Sequence, residues 1–246
     1  MNISPDLTKR LVAEAIAVLL VVASIIGAGI MAQRLEGTGP AMTLLVNSLV
    51  CGAMLVVVIV VFAPVSGGHL NPAWTLLMMI KREMPAREGG LYIVSQIVGA
   101  CAGAIVANVM FGQDPVSISS TARTGAPMWL SEFVASFGLI GAVLGAVRYA
   151  PVATPAVVGI YIVAAYWFTG SSSFASPAAT IGRTLSDSYA GISPGSVPAY
   201  IVAQLLGALA AFAVFSWMFG REGAPEHRQP GPLAPDLAVP GPLKRV

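Results

Sequence analysis

The order of apolar and polar positions divides the chain into six long apolar stretches, at 10–32, 41–63, 90–111, 129–147, 152–169 and 197–219. Each comes close to the roughly 20 residues that a helix needs to cross the hydrocarbon core of a bilayer. The first is too long for a signal-peptide core and is followed by no convincing cleavage site, so it reads as a retained span. Two further apolar pieces, 72–80 and 177–185, are too short to cross. Each opens on a proline behind Asn71 or Ser176, and such a pair suits the capped start of a helix. The pattern predicts an all-α membrane protein of six spanning helices and two half-helices.

These pieces recur. GHLNPAWT at 68–75 and SFASPAAT at 173–180 align Asn71-Pro72-Ala73 with Ser176-Pro177-Ala178 at an offset of 105 residues. Glu14 in LVAEAIAVLL has a counterpart in Glu132 of WLSEFVASFG, and Gln96 and Gly99 have counterparts in Gln204 and Gly207. Three spans per copy is an odd number, so the second copy must enter the membrane upside down. Inverted repeats with a broken helix in each half are a common plan of transport proteins. The expected division is a first repeat over 1–111, an outer connecting loop over 112–128 and a second repeat over 129–220. A proline- and glycine-rich tail over 221–246 is expected to be disordered.

Under that plan the half-helices meet, start to start, near the bilayer midplane. Irregular backbone at that depth survives only where protein buries it or water wets it. The carbonyls of Gly67, Gly68, His69, Phe174 and Ala175 are then candidates for a ladder of acceptors along a narrow passage. Glu14 and Glu132 are expected to accept hydrogen bonds from the two re-entrant loops, since a buried carboxyl needs partners. A proton relay is the alternative, although no second ionisable group lies in the same spans.

Composition agrees with this picture. Charged residues make up 10% of the chain and hydrophobic ones 56%, where a soluble domain carries roughly a quarter charged. A net charge of +2 gives no basis for a nucleic-acid partner. With six spans both ends share one side. That side carries Lys9, Arg10, Lys81, Arg82, Arg87, Arg148, Arg221, Arg228, Lys244 and Arg245, against Arg34, Arg123 and Arg183 opposite. The bias places both termini in the cytoplasm and the chain in the inner (plasma) membrane. Cys51 and Cys101 sit in apolar runs and read as buried thiols. Nothing pairs a nucleophile with a base, cradles a phosphate or gathers metal ligands, so neither an enzyme, a metal site nor a cofactor is expected.

The stretch SGGHLNPAWT, the six spans and the second half-helix resemble the aquaporin (major intrinsic protein) family over about residues 8 to 220. The resemblance implies an aquaporin-like right-handed bundle, a homotetramer in the lipid bilayer with one pore per subunit, and passive conduction of small neutral solutes. It also implies a selectivity filter, whose positions follow from the family's spacing to the two Asn-Pro-Ala sites. They fall on Cys51, where water channels have an aromatic, and on Ala164, where they have histidine. The others are Ser173 and Ala179, the latter where the family has arginine. All four are small, so the filter is expected to be wide and to lack its usual cation. Ser176 keeps the capping duty of asparagine but gives up the donor facing the lumen.

Arg183 allows two readings. It lies four residues beyond Ala179, on the same helix face, and helical side chains lean back toward the N-terminus. Its guanidinium either bends inward in place of the missing filter arginine or pairs with Asp187 at the outer rim. The leading function is a passive channel for polyols such as glycerol, metalloid hydroxides such as arsenite, and water. An ion-leaky or anion-conducting pore is the alternative, and a secondary transporter the next.

Overall fold

The computed structural model describes residues 5–35, 37 and 39–219. The tail at 221–246, with its four basic residues, lies outside the described residues. Eight helices follow in order: α1 (Pro5–Arg34), α2 (Pro40–Ser66), α3 (Pro72–Ile80), α4 (Ala86–Met110), α5 (Ala126–Tyr149), α6 (Thr154–Phe168), α7 (Pro177–Gly182) and α8 (Val197–Phe219). Six of the helices are long and apolar enough to cross a membrane, counting short 3-10 turns that lead into α6 and α8. The half-helix expected over 177–185 is α7 continued by a 3-10 turn at Arg183–Leu185. No strand occurs among the described residues.

Packing repeats with the sequence. In the first half α1 packs on α2 and α4, and α3 packs on α4; in the second, α5 packs on α6 and α8, and α7 on α8. The halves are joined by α2 against α6 and by each half-helix crossing to the other half's last span, α7 to α4 and α3 to α8. Membrane helices gain little from apolar burial against one another, so close backbone approach decides where they touch. A Cβ on Gly99 would lie 2.2 Å from the Ala15 carbonyl oxygen, and one on Gly207 would lie 2.2 Å from that of Phe133. The repeat-related glycines thus serve the same crossing, α1 with α4 and α5 with α8.

The two half-helices point to opposite faces. The turn after α3 brings Glu83 and Met84 beside Arg10, near the start of α1. The end of α7 instead accepts hydrogen bonds from the loop between α4 and α5, at Ser117 to Leu185 (3.0 Å) and Ser119 to Thr184 (2.9 Å). Three spans separate those two places.

Candidate functional site

The two re-entrant loops have the same backbone. Asn71 caps α3 at φ −149°, ψ 121°, and Ser176 caps α7 at φ −148°, ψ 121°. Left-handed residues fall at matching positions: Gly67, Gly68 and Leu70 in the first loop, Ser172, Ser173 and Ala175 in the second. Glycine takes that conformation at no steric cost, whereas serine is strained there. The second loop therefore holds strain that the first avoids, and in return it has a hydroxyl at 173.

Each loop hangs from a carboxylate. Glu14 accepts from the backbone N–H groups of His69 (2.9 Å) and Leu70 (2.7 Å), from the Ser66 hydroxyl (2.7 Å) and from Gln96 Nε2 (2.8 Å). Glu132 accepts from the N–H groups of Phe174 (2.9 Å) and Ala175 (3.0 Å) and from Gln204 Nε2 (2.6 Å). Both are completely buried. Gln96 and Gln204 also donate to Thr75 and Thr180 of the half-helices, locking each loop to the helix that it starts.

The starts of α3 and α7 touch. Asn71 Oδ1 accepts from the Ala73 N–H (2.9 Å), while its Nδ2 donates across the midplane to the Ala175 carbonyl (2.8 Å). Ser176 Oγ accepts from the Ala179 N–H at 3.4 Å. Among the described hydrogen bonds none runs back from Ser176 to Leu70, so the tie between the turns is made once. That is the physical content of exchanging asparagine for serine.

A cavity of about 330 Å³ passes both caps. One end reaches Val147, Pro151 and Thr154 at the α5–α6 connection, and the other reaches Ile25, Cys51 and Arg183. Its wall is mostly aliphatic. The polar positions include the two caps, residues Gly67, Gly68, His69 and Leu70 of the first loop, residues Ser173, Phe174 and Ala175 of the second, and Cys51, Thr154, Tyr166 and Arg183. His69 turns its Nδ1 to the Thr75 hydroxyl at 3.1 Å.

Among the expected filter residues, Cys51, Ser173, Ala179 and Arg183 line this cavity together. Ala164 does not: it is exposed on the outer face of α6. Thr154, Val158, Ile162 and Tyr166 form the inner face of that helix at four-residue steps. A two-residue error turns a helix by about 200°. Counting back from Ser176 presumed a fixed loop between α6 and α7; the period along α6 itself would have found Tyr166. The expected all-small ring is corrected accordingly, since an aromatic side chain, 2% exposed, stands in it.

Arg183 also resolves. Asp187 accepts from the Ser120 N–H (3.0 Å) and hydroxyl (3.1 Å), and no Arg183–Asp187 ion pair occurs among the described residues. The Arg183 side chain is buried against the cavity, its Nε bonded to the Ala190 carbonyl and its guanidinium carbon 3.4 Å from the centroid of the Phe174 ring. A cation thus lines the passage, one helical turn beyond the position the family's spacing indicates. The hydroxyls of Tyr166 and Ser173 are buried in the wall of the same cavity, that of Tyr166 beside the Cys51 thiol. Both cysteines are free thiols, Cys51 buried and Cys101 half-buried on α4.

Comparisons with known proteins agree with this arrangement. The family model "Major intrinsic protein" matches residues 2–173. Aquaglyceroporin AqpS of Rhizobium meliloti (strain 1021) is 42% identical over 227 residues, spanning 92% of this chain and 97% of its own length. The probable aquaporin TIP1-2 of Oryza sativa subsp. japonica is 32% identical over 196 residues, 72% of this chain and 75% of its own. The X-ray structure of the aquaglyceroporin from Plasmodium falciparum superposes with a TM-score of 0.69 at 17% identity, covering 87% of this chain and 97% of that one. The chain belongs to the major intrinsic protein family and is a multi-pass membrane protein forming a passive channel for small solutes.

Proposed function

We propose that the chain conducts small uncharged polyhydroxylated solutes, glycerol foremost, down their gradients between the caps of α3 and α7. The observation that carries this reading is the cavity past both caps, aliphatic on most of its wall and polar along the loops. Glycerol has the matching character: its carbon chain can lie on the aliphatic wall while its hydroxyls both donate and accept. The loop residues along the cavity supply polar groups to such a solute, and Arg183 adds donors. The relative from Rhizobium meliloti is named an aquaglyceroporin, which favours the same solute class.

Neutral metalloid hydroxides such as arsenite share three hydroxyls and a similar size with glycerol, and water is smaller than either. All three belong to the proposed range. The filter comprises Cys51, Tyr166, Ser173, Ala179 and Arg183, with the three small side chains giving back space that tyrosine and arginine take. Asn71-Pro72-Ala73 and Ser176-Pro177-Ala178 form the pore turns, and Glu14 and Glu132 support them. Arg183 and the two helix starts set a positive potential in the path, which opposes cations. We assign the active form to a homotetramer in the plasma membrane, as the family resemblance implies, with both termini in the cytoplasm, following the distribution of basic residues.

The test is osmotic swelling of proteoliposomes under gradients of glycerol, urea and arsenite, with parallel current recordings. Glycerol flux should rise linearly with its gradient and carry no current. Flux that saturates at micromolar solute, or requires a sodium or proton gradient, would replace the channel by a coupled transporter. Current without glycerol flux would make it an ion pore.

A further inference from the structure

The internal repeat breaks at one informative place. His69 of the first loop corresponds to Phe174 of the second, at the same offset of 105 that relates the two caps. The imidazole is occupied with Thr75. Phe174 has no polar ring atom, and its face receives the Arg183 guanidinium at 3.4 Å.

Phe174 is itself firmly placed. Its N–H is held by Glu132 at 2.9 Å, and it lies between two left-handed residues, Ser173 at φ 46° and Ala175 at φ 48°. Its ring meets Tyr200 edge-on, with centroids 5.3 Å apart and planes at 80°. A second guanidinium, that of Arg123, lies over the ring at 5.1 Å and is anchored to the carbonyls of Gly191 (2.9 Å) and Tyr189 (3.1 Å).

An arginine rooted a turn beyond the usual filter position has a long, flexible stem and watery space outside it. The Ala190 carbonyl holds its Nε, but without the ring its charged end would favour that water. A guanidinium is flat and weakly hydrated and stacks readily on an aromatic face. We propose that Phe174 is the positioning residue that keeps the displaced Arg183 in the conduction path and so sets the size cut-off of the channel. The proposal rests on the channel reading above and adds a residue to it. The altered residue at 174 and the shifted arginine are one device.

Proteoliposomes of the full chain separate these roles through the ratio of xylitol to glycerol permeability. Phe174→Leu, which keeps an apolar side chain but removes the π face, should raise the ratio about threefold or more, and Arg183→Ala should do the same. The double variant should go no higher than Arg183→Ala alone, because both substitutions release one constraint. Phe174→Tyr should restore the wild-type ratio. A merely structural Phe174 would instead lower both fluxes together and leave the ratio fixed.

An unmoved ratio in Phe174→Leu, or a double variant whose ratio is the product of the two single effects, overturns the proposal. If Phe174→Leu does not insert, Arg183→Lys keeps the charge but loses the flat guanidinium that lies on the ring and the Nε bonded to Ala190. It should match Arg183→Ala, and a wild-type ratio there overturns the proposal equally. Wild-type vesicles no more permeable to glycerol than empty ones would overturn the channel reading itself, and this proposal with it.

Discussion

Glu132→Ala is expected to destabilise the folded chain by about 3 kcal/mol or more. The carboxylate accepts the Phe174 and Ala175 N–H groups and Gln204 Nε2 at 2.6–3.0 Å, all buried. Removing it orphans three donors, each costing about 1–3 kcal/mol. Two of them belong to left-handed loop backbone that has no helix ladder to fall back on. Tenfold in the folded-to-unfolded ratio corresponds to about 1.4 kcal/mol, so the ratio falls roughly 100-fold. Glu132→Gln should be nearly as damaging, because its amide turns a donor toward other donors. Thermal unfolding in detergent, followed by size exclusion, measures this. A melting temperature within about 2 °C of wild type for Glu132→Ala would show that the loop does not depend on the carboxylate.

Ala179→Arg should have the largest effect on conduction. Ala179 lines the cavity in the first turn of α7, four residues before Arg183 and on the same face. A guanidinium there would share the constriction with one already present, and like charges at that spacing repel. Glycerol flux should fall about tenfold or more, with water reduced less because it needs less room. The double variant Ala179→Arg/Arg183→Ala moves the single cation back one turn and should recover glycerol flux to within a few-fold of wild type. That recovery also shows that the first variant folded. Unchanged glycerol flux in Ala179→Arg would place residue 179 away from the path.

Much of the architecture was legible because it is written twice. An apolar stretch of span length needs no partner to be recognised; the offset shared by the two caps marked the repeat, and its odd number of spans implied the inversion. Glu14 and Glu132 stood out because a carboxylate within a span has few ways to be satisfied. Their partners are the loops expected of them. The filter was less legible. Its proposed residues come from α2, α6, the second loop, and α7 with the 3-10 turn that continues it, and a position counted across a loop inherits every change in loop length. Ala164 failed for that reason, and two residues of slip turned it to the opposite face of α6. Arg183 was visible as an alternative but undecided, since sequence does not say whether Asp187 or Phe174 holds an arginine seven residues after a cap. Phe174 entered only as a carbonyl; its ring gains meaning from Arg183, stacked on it, and from Arg123, about fifty residues upstream, which only the folded chain brings near.

The claim beneath all of this is that solute passes between the two half-helix caps and beside Cys51. Blocking by a mercurial tests it most directly, with Cys101 on α4 as the internal control. In proteoliposomes mercuric chloride should abolish most glycerol flux through the wild-type chain and through Cys101→Ser, and leave Cys51→Ser open. Equal inhibition of Cys51→Ser and wild type, or none of either, would mean that the conduction path does not run past Cys51.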